Sequence, residues 1–157
     1  MKTAMFFEVQ DKNIYDLARA YAVKWARSPD KGSEFEQRTA GLRQLPDSEL
    51  LAMMKKAGYD MFIGYNDGEV CGHFAFQRYG SDLHVFSVAT AVSCRKNPLV
   101  LLALTREFFK KAREKATRVR LSSGKNESMQ TLLGLLERRA EKLELSVDKE
   151  SCWIELL

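Results

Sequence analysis

Residues 61–76, MFIGYNDGEVCGHFAF, constrain this chain more than any other stretch. Two apolar runs flank Asn66-Asp67-Gly68-Glu69. Asp-Gly between such runs is a strong short-range signal for a hairpin, because the favoured two-residue turn needs positive φ at its central positions. The second run opens Val70-Cys71-Gly72 and continues through Phe74-Ala75-Phe76. Many antiparallel sheets would accept such a hairpin. What narrows the fold is the order of elements around it.

Phe6-Phe7-Glu8-Val9 reads as a short first strand. Asp11 is a credible N-cap for a helix carrying Ile14, Leu17, Ala18, Tyr21, Ala22 and Trp25 at spacings of three and four. Residues 28–32 end that helix, and residues 33–44 are ambiguous, with a polar helix as one reading. Pro46-Asp47-Ser48-Glu49 starts another helix with Leu50, Leu51, Met54 and Ala57, and Gly58 stops it. After the hairpin comes a strand over residues 83–92, then a loop, Ser93-Cys94-Arg95-Lys96-Asn97-Pro98. Pro98 suits the first turn of a helix whose apolar stripe is Leu101, Leu104, Phe108 and Ala112. Residues 117–121 read as a strand, 122–126 as a polar loop, and 127 to about 139 as a helix with Met129, Leu132, Leu133 and Leu136 inward. Leu143, Leu145 and Val147 alternate, residues 148–151 turn, and Cys152, Ile154 and Leu156 alternate back.

A length of 157 residues fits one domain with a real hydrophobic core. No run approaches the roughly 18 apolar residues a membrane span requires. The start, Met1-Lys2-Thr3-Ala4-Met5-Phe6-Phe7, does not read as a signal peptide. Cys71, Cys94 and Cys152 are odd in number, widely spaced and form no CxxC, so neither a zinc site nor a disulfide framework is indicated. The expectation is a reduced, cytoplasmic protein without a metal and without a membrane segment. The net charge of +4 favours an anionic partner, and its sign does not choose among a nucleotide cofactor, an acidic substrate and nucleic acid.

The element order β-α-α-β-β-β-α-β-α-β-β, with the apolar-x-Gly hairpin at its centre, resembles that of the Gcn5-related N-acetyltransferases (GNAT) over nearly the whole chain. The resemblance implies an α+β fold: a single GNAT-like domain over residues 1–157, with a mostly antiparallel, mixed central sheet flanked by helices. It also implies acetyl-CoA as cofactor and an amine as acceptor, either a small molecule or a protein.

In that family the strand before the long helix ends in a loop of the form Arg/Gln-x-x-Gly-x-Gly/Ala. Its amides and the helix N-terminus hold the cofactor's pyrophosphate, since a diphosphate seeks N–H donors and positive potential. The corresponding residues here are Arg95-Lys96-Asn97-Pro98-Leu99-Val100. Pro98 and Val100 stand where glycines are expected, and proline removes a donor. Arg95 and Lys96 offer charge instead. The resemblance implies cofactor contacts from Arg95, Lys96, Asn97 and Leu99, from Asn126 after the next strand, and from the backbone of Ala91 and Val92, whose amides would polarise the thioester. Taken alone, residues 95–98 are equally a solvated basic turn with Asn97 as N-cap, and Asn126 or Ser128 equally a cap of the next helix.

The family's usual tyrosine, which protonates the leaving thiolate, falls on Leu133, and no tyrosine follows Tyr79. The Gly-Phe pair that follows that helix in the family is absent as well. For the general base, a histidine suits neutral pH. The resemblance points to the strands carrying His73 and His84. His84 is the catalytic candidate, sharing strand parity with Phe86, Val88 and Thr90, and a structural or surface histidine is the competing reading. Glu69 faces solvent in the turn. Cys94, beside two cations, lacks a base and an orienting group and is taken as inert. Lys110, Lys111, Arg113, Lys115, Arg118 and Arg120 form the densest basic region, but Glu107 and Glu114 dilute it, leaving nucleic acid as the lesser alternative.

Two functions follow. One is acetyl-CoA-dependent N-acylation of a primary amine. The other is a GNAT-like protein that has lost catalysis and serves in binding or structure. The first requires an open cleft between two strands; the second allows the cleft to be filled by Phe86, Leu133 or Trp153. A third reading is an unrelated α+β domain. The closing strand at residues 152–156 would suit a homodimer if it were an exposed edge.

Overall fold

The computed structural model describes residues 1–28, 34–91, 98–122 and 127–157. Among them, seven strands form one sheet in the order β1-β2-β3-β4-β5-β7-β6. The strands are β1 Lys2–Met5, β2 Tyr59–Asn66, β3 Glu69–Tyr79, β4 Asp82–Thr90, β5 Arg118–Leu121, β6 Leu145–Asp148 and β7 Trp153–Leu156. Every neighbouring pair is antiparallel except β4 with β5. That single parallel pair exists because a helix crosses between the two strands, as parallel neighbours require.

The hairpin forms as its sequence demands. Asn66 pairs with Glu69, and Gly68 takes φ +72° in the turn. The first strand departs from expectation. It is Lys2–Met5, paired with residues 62–65, while Phe6–Glu8 makes a turn of 3-10 helix that buries Phe6. The closing hairpin also corrects an expectation. β7 lies between β5 and β6 and is paired on both sides, so residues 152–156 offer no exposed edge; β6 is the outer strand.

Helices cover both faces. On one face lie α4 (Pro98–Ala112) and α5 (Glu127–Leu143), enclosing Phe74, Val85, Val88, Leu104, Phe108, Val119, Leu132 and Leu133. On the other lie α1 (Lys12–Arg27), the short α2 (Glu34–Thr39) and α3 (Asp47–Lys56), enclosing Phe6, Leu50, Met54, Tyr59, Met61, Ile63, Ala75 and Phe86. Asp11 caps α1 by accepting from the amides of Asn13 and Ile14 at 2.9 and 3.2 Å. The inward row of α1 is Ala18, Ala22 and Ala26, all at 2% exposure or less. Such small side chains let the helix axis come close to the sheet. That close approach carries the longer Tyr21 and Trp25 side chains across onto β3 and β4.

Candidate active site

β4 and β5 run together only at their beginnings. Asp82 to Val85 pair with Arg118 to Leu121, and the Ser122 amide donates to the Val85 carbonyl at 2.9 Å. Residues 86–90 continue along β3 with no β5 partner among the described residues. Beyond Val85 that side of β4 therefore has no described strand neighbour.

A bulge lies where this ladder ends. Phe76 faces Val85 while Ala75 faces Ser87, so Phe86 is one residue too many on β4. A bulge of this kind bends its strand and increases the local twist. It also reverses the alternation of backbone groups. The Val85 carbonyl faces β5, whereas the Ala91 amide donates to the Cys71 carbonyl of β3 at 2.7 Å. Counting back from Ala91, the backbone polar groups of Val88 face away from β3. The Ala91 amide, expected as an activating donor, is thus committed to the sheet. Val92, Arg95, Lys96, Asn97 and Asn126 lie outside the described residues. Leu99 stands on the first turn of α4, its side chain 67% exposed.

The bulge also resorts the side chains. His84 shares a face with Phe86, but Val88 and Thr90 fall on the opposite face, against the parity expected from alternation. His84 packs against Tyr79 and Trp153, at ring-centroid distances of 4.6 and 5.6 Å. Arg118 lies over Trp153 at 3.9 Å and clasps Asp82 with two bonds of 2.8 and 3.1 Å. Beside them Arg38 donates to Gln77 Oε1 at 3.1 Å and to the Tyr79 hydroxyl, which donates to the same Gln77 oxygen. Of the three residues that would fill a closed cleft, Phe86 turns into the cluster under α1 and α3, and Trp153 lies against Arg118 and His84. Leu133 of α5 is buried in the same cluster as Val85, Val88 and Leu121.

The other histidine is buried at the heart of a polar network. His73 Nδ1 lies 2.6 Å from the Tyr21 hydroxyl and its Nε2 lies 2.8 Å from Ser87 Oγ. Trp25 Nε1 donates to the same Ser87 oxygen at 3.3 Å. Burial pushes the imidazole down to about 4, so it is neutral at pH 7. Desolvation raises the Tyr21 phenol. Tyr21 and Trp25 are visible in the sequence only as part of an apolar stripe. The signal that was available is that both carry polar tips four residues apart, facing a strand with a histidine.

These features define a GNAT-like fold. Tetrahymena Gcn5 superposes with a TM-score of 0.53 at 10% identity, covering 99% of this chain and 94% of that one. A ribosomal-protein-alanine N-acetyltransferase from Brucella melitensis biovar Abortus 2308 gives 0.56 at 13% identity, covering 87% and 91%. A GNAT-family acetyltransferase from Streptococcus pneumoniae gives 0.55 at 11% identity, covering 98% and 96%. At such identities the likeness is one of fold. No family profile matches the sequence, and no curated protein matches it. Among the described residues, no helix is long and apolar enough to cross a membrane, and no cluster of His, Cys, Asp or Glu is arranged to hold a metal ion.

Proposed function

We propose that this protein is an N-acyltransferase that moves an acetyl group from acetyl-CoA to a primary amine. The observation that carries this reading is the end of the β4–β5 ladder at Val85, beyond which the backbone groups of Val88 face away from β3 and have no partner on β5 among the described residues; in this reading the two strands part there into a wedge. The pantetheine arm of acetyl-CoA carries amides and carbonyls, and an open strand edge supplies the matching donors and acceptors. The chain therefore fits the group at this point. The thioester supplies an activated acyl carbon. The Val88 amide, in place of the Ala91 amide, is the donor for its carbonyl oxygen, since a fixed N–H stabilises charge developing there. The first turn of α4, including the Leu99 amide, together with Arg95, Lys96 and Asn97, holds the pyrophosphate. Asn126 would contact the arm. His84 lines the acceptor side with Tyr79 and Trp153. The structures it resembles are acetyltransferases, which supports the class of reaction and leaves the acceptor open.

The test is titration calorimetry with acetyl-CoA on the wild type beside an Arg95→Ala/Lys96→Ala variant, followed by thiol release in the presence of a panel of primary amines. Micromolar binding weakened at least tenfold in the variant is the expected result. Absence of binding at millimolar acetyl-CoA would overturn the reading.

A further inference from the structure

The polar network under α1 has a direction. Ser87 Oγ has two described partners, Trp25 Nε1 and His73 Nε2. The indole N–H can only donate. Of these two partners only His73 Nε2 can accept the Ser87 proton, and it does so in the tautomer protonated on Nδ1. A neutral imidazole that accepts at Nε2 carries its proton on Nδ1. That N–H faces the Tyr21 oxygen at 2.6 Å. Tyr21 accepts it and keeps its own hydroxyl proton for a further acceptor. Its side chain is only half-buried, so water at the surface beside α1 can be that acceptor. The hydroxyls and ring thus point one way, from Ser87 outward.

The inner end of this row lies close along β4 to the point where its pairing with β5 ends. Ser87 is next to the bulged Phe86 and lies two residues past Val85, where the β4–β5 ladder ends. The outer end is Tyr21 on α1. Nothing about folding requires a hydrogen-bonded row of this polarity. An apolar core would fill the space without polar groups that must all be satisfied.

We propose that Ser87, His73 and Tyr21 form a proton exit for the attacking amine, leading from the wedge to the surface beside α1. The inference rests on the acyl-transfer reading. As the new C–N bond forms and the C–S bond breaks, the nitrogen becomes acidic. Its N–H breaks and the proton passes to Ser87 Oγ. The Ser87 O–H breaks toward His73 Nε2, the Nδ1–H breaks toward Tyr21, and the Tyr21 proton passes to water. The departing thiolate takes a proton from bulk water, so charge and atoms balance. The Ser87 and Tyr21 hydroxyls then rotate and the ring exchanges its proton to restore the starting tautomer. Ser87 is the catalytic residue of the set; His73 and Tyr21 act through it. This assigns His84 to the wall of the acceptor site instead of the proton-accepting role.

The test combines a spectroscopic and a kinetic readout. Nitrogen-15 NMR of the protein alone should find His73 neutral at pH 7 with its proton on Nδ1. A proton on Nε2 would overturn the proposal. In amine acetylation, Ser87→Ala and Tyr21→Phe should each lower kcat, by about 100-fold and about 10-fold respectively, as loss of general acid–base help does. Acetyl-CoA affinity and the KM for the amine should stay within about threefold, and Ser87→Thr should restore most of the rate. Two folded variants that retain wild-type kcat would overturn the relay while leaving acyl transfer intact. A wild type that binds acetyl-CoA yet acetylates no amine of the panel, or that does not bind it, overturns the acyl-transfer reading and the relay with it. The two ends of the row are changed separately so that misfolding of one variant leaves the other to decide.

Discussion

Gly72 of β3 lies beneath Leu104 of α4, and the two are in contact because Gly72 has no side chain. A methyl group built on Gly72 would come 3.0 Å from Leu104 Cδ2 and 2.6 Å from the Ala89 carbonyl oxygen. Its partner across the hairpin, Gly64, is equally tight, with Leu104 Cδ1 at 3.0 Å. The paired glycines form the trough on which α4 rests. Gly72→Ala forces either the helix or the β3–β4 ladder to move, and the backbone carbonyl cannot yield as a side-chain tip could. The expected loss is about 2–3 kcal/mol, the upper range for overpacking, read from urea unfolding. Acetyl-CoA affinity should fall as well, since the displaced residue is Ala89, at the open part of β4. A variant as stable as wild type would remove the trough from the account.

The pH dependence of stability contains two opposed contributions. Asp60 accepts from the amides of Phe7 and Met61 at 3.3 and 2.7 Å, yet burial outweighs those bonds and pushes its carboxyl up to about 6 from 3.8. Its folded state holds a proton that the unfolded state has lost between those values. The stability this gives is full below about 4 and is lost as pH rises through 6. His73 runs the other way. Its folded value is about 4 against an ordinary 6.5, so its stability is full above 6.5 and is lost as pH falls toward 4. Each shift corresponds to about 3 kcal/mol at about 1.4 kcal/mol per pH unit. In the wild type the two slopes largely cancel between pH 4 and 6. Asp60→Asn keeps an acceptor for both amides and removes the charge. It should raise stability at pH 7 by about 1–3 kcal/mol and leave a stability that climbs steadily from pH 4 to 6.5. Denaturant titrations across that range check the sign; an unchanged profile would refute the Asp60 assignment.

The sequence displayed those parts of the fold that are decided locally. Asp67-Gly68 set the hairpin, Asp11 capped α1, and Pro98 opened α4. Features decided by pairing partners were not visible in it. Phe6 and Phe7 look more strand-like than Lys2-Thr3-Ala4-Met5, but β2 pairs with the latter. Alternation in the closing hairpin is the same whichever of its strands lies inside, so the placement of β7 between β5 and β6 could not be read. The bulge was hidden because Phe86, Ser87 and Val88 are all buried, which erases the period that would reveal a missed step. The parity assigned to His84 failed for that reason. The network around His73 joins α1 to two strands 52 and 62 positions away in the chain, and no spacing rule reaches that far.

The alanine row of α1 is what brings that network together. Ala22 is 2% exposed and lies between Tyr21 and the next turn. Ala22→Leu adds volume where the helix meets the sheet, and α1 must lift. The expected cost is about 1–3 kcal/mol. Because Trp25 would move off Ser87, its fluorescence should also shift to the red. A stable variant with unaltered Trp25 emission would show that the close approach is not needed.

Phe86 offers the sharpest test of how the sheet opens. It is the extra residue of β4, and the correspondences on either side, Phe76 with Val85 and Ala75 with Ser87, become consecutive once it is removed. Deleting Phe86 therefore leaves every later residue with its present partner and its present face. The deletion makes a regular strand and abolishes the bend. It also removes a buried aromatic ring from the cluster under α1 and α3, at a cost of about 3–5 kcal/mol, part of which the regular ladder restores. A folded but less stable protein is expected, with β4 continuing straight beside β5 and the wedge reduced. Acetyl-CoA binding should then fall by more than about tenfold, a loss of roughly 1.4 kcal/mol, while Phe86→Ala, which keeps the bulge and loses the same ring, should bind within about threefold of wild type. Calorimetry on the two variants separates geometry from stability: equal binding by both would mean that the bulge does not open the site.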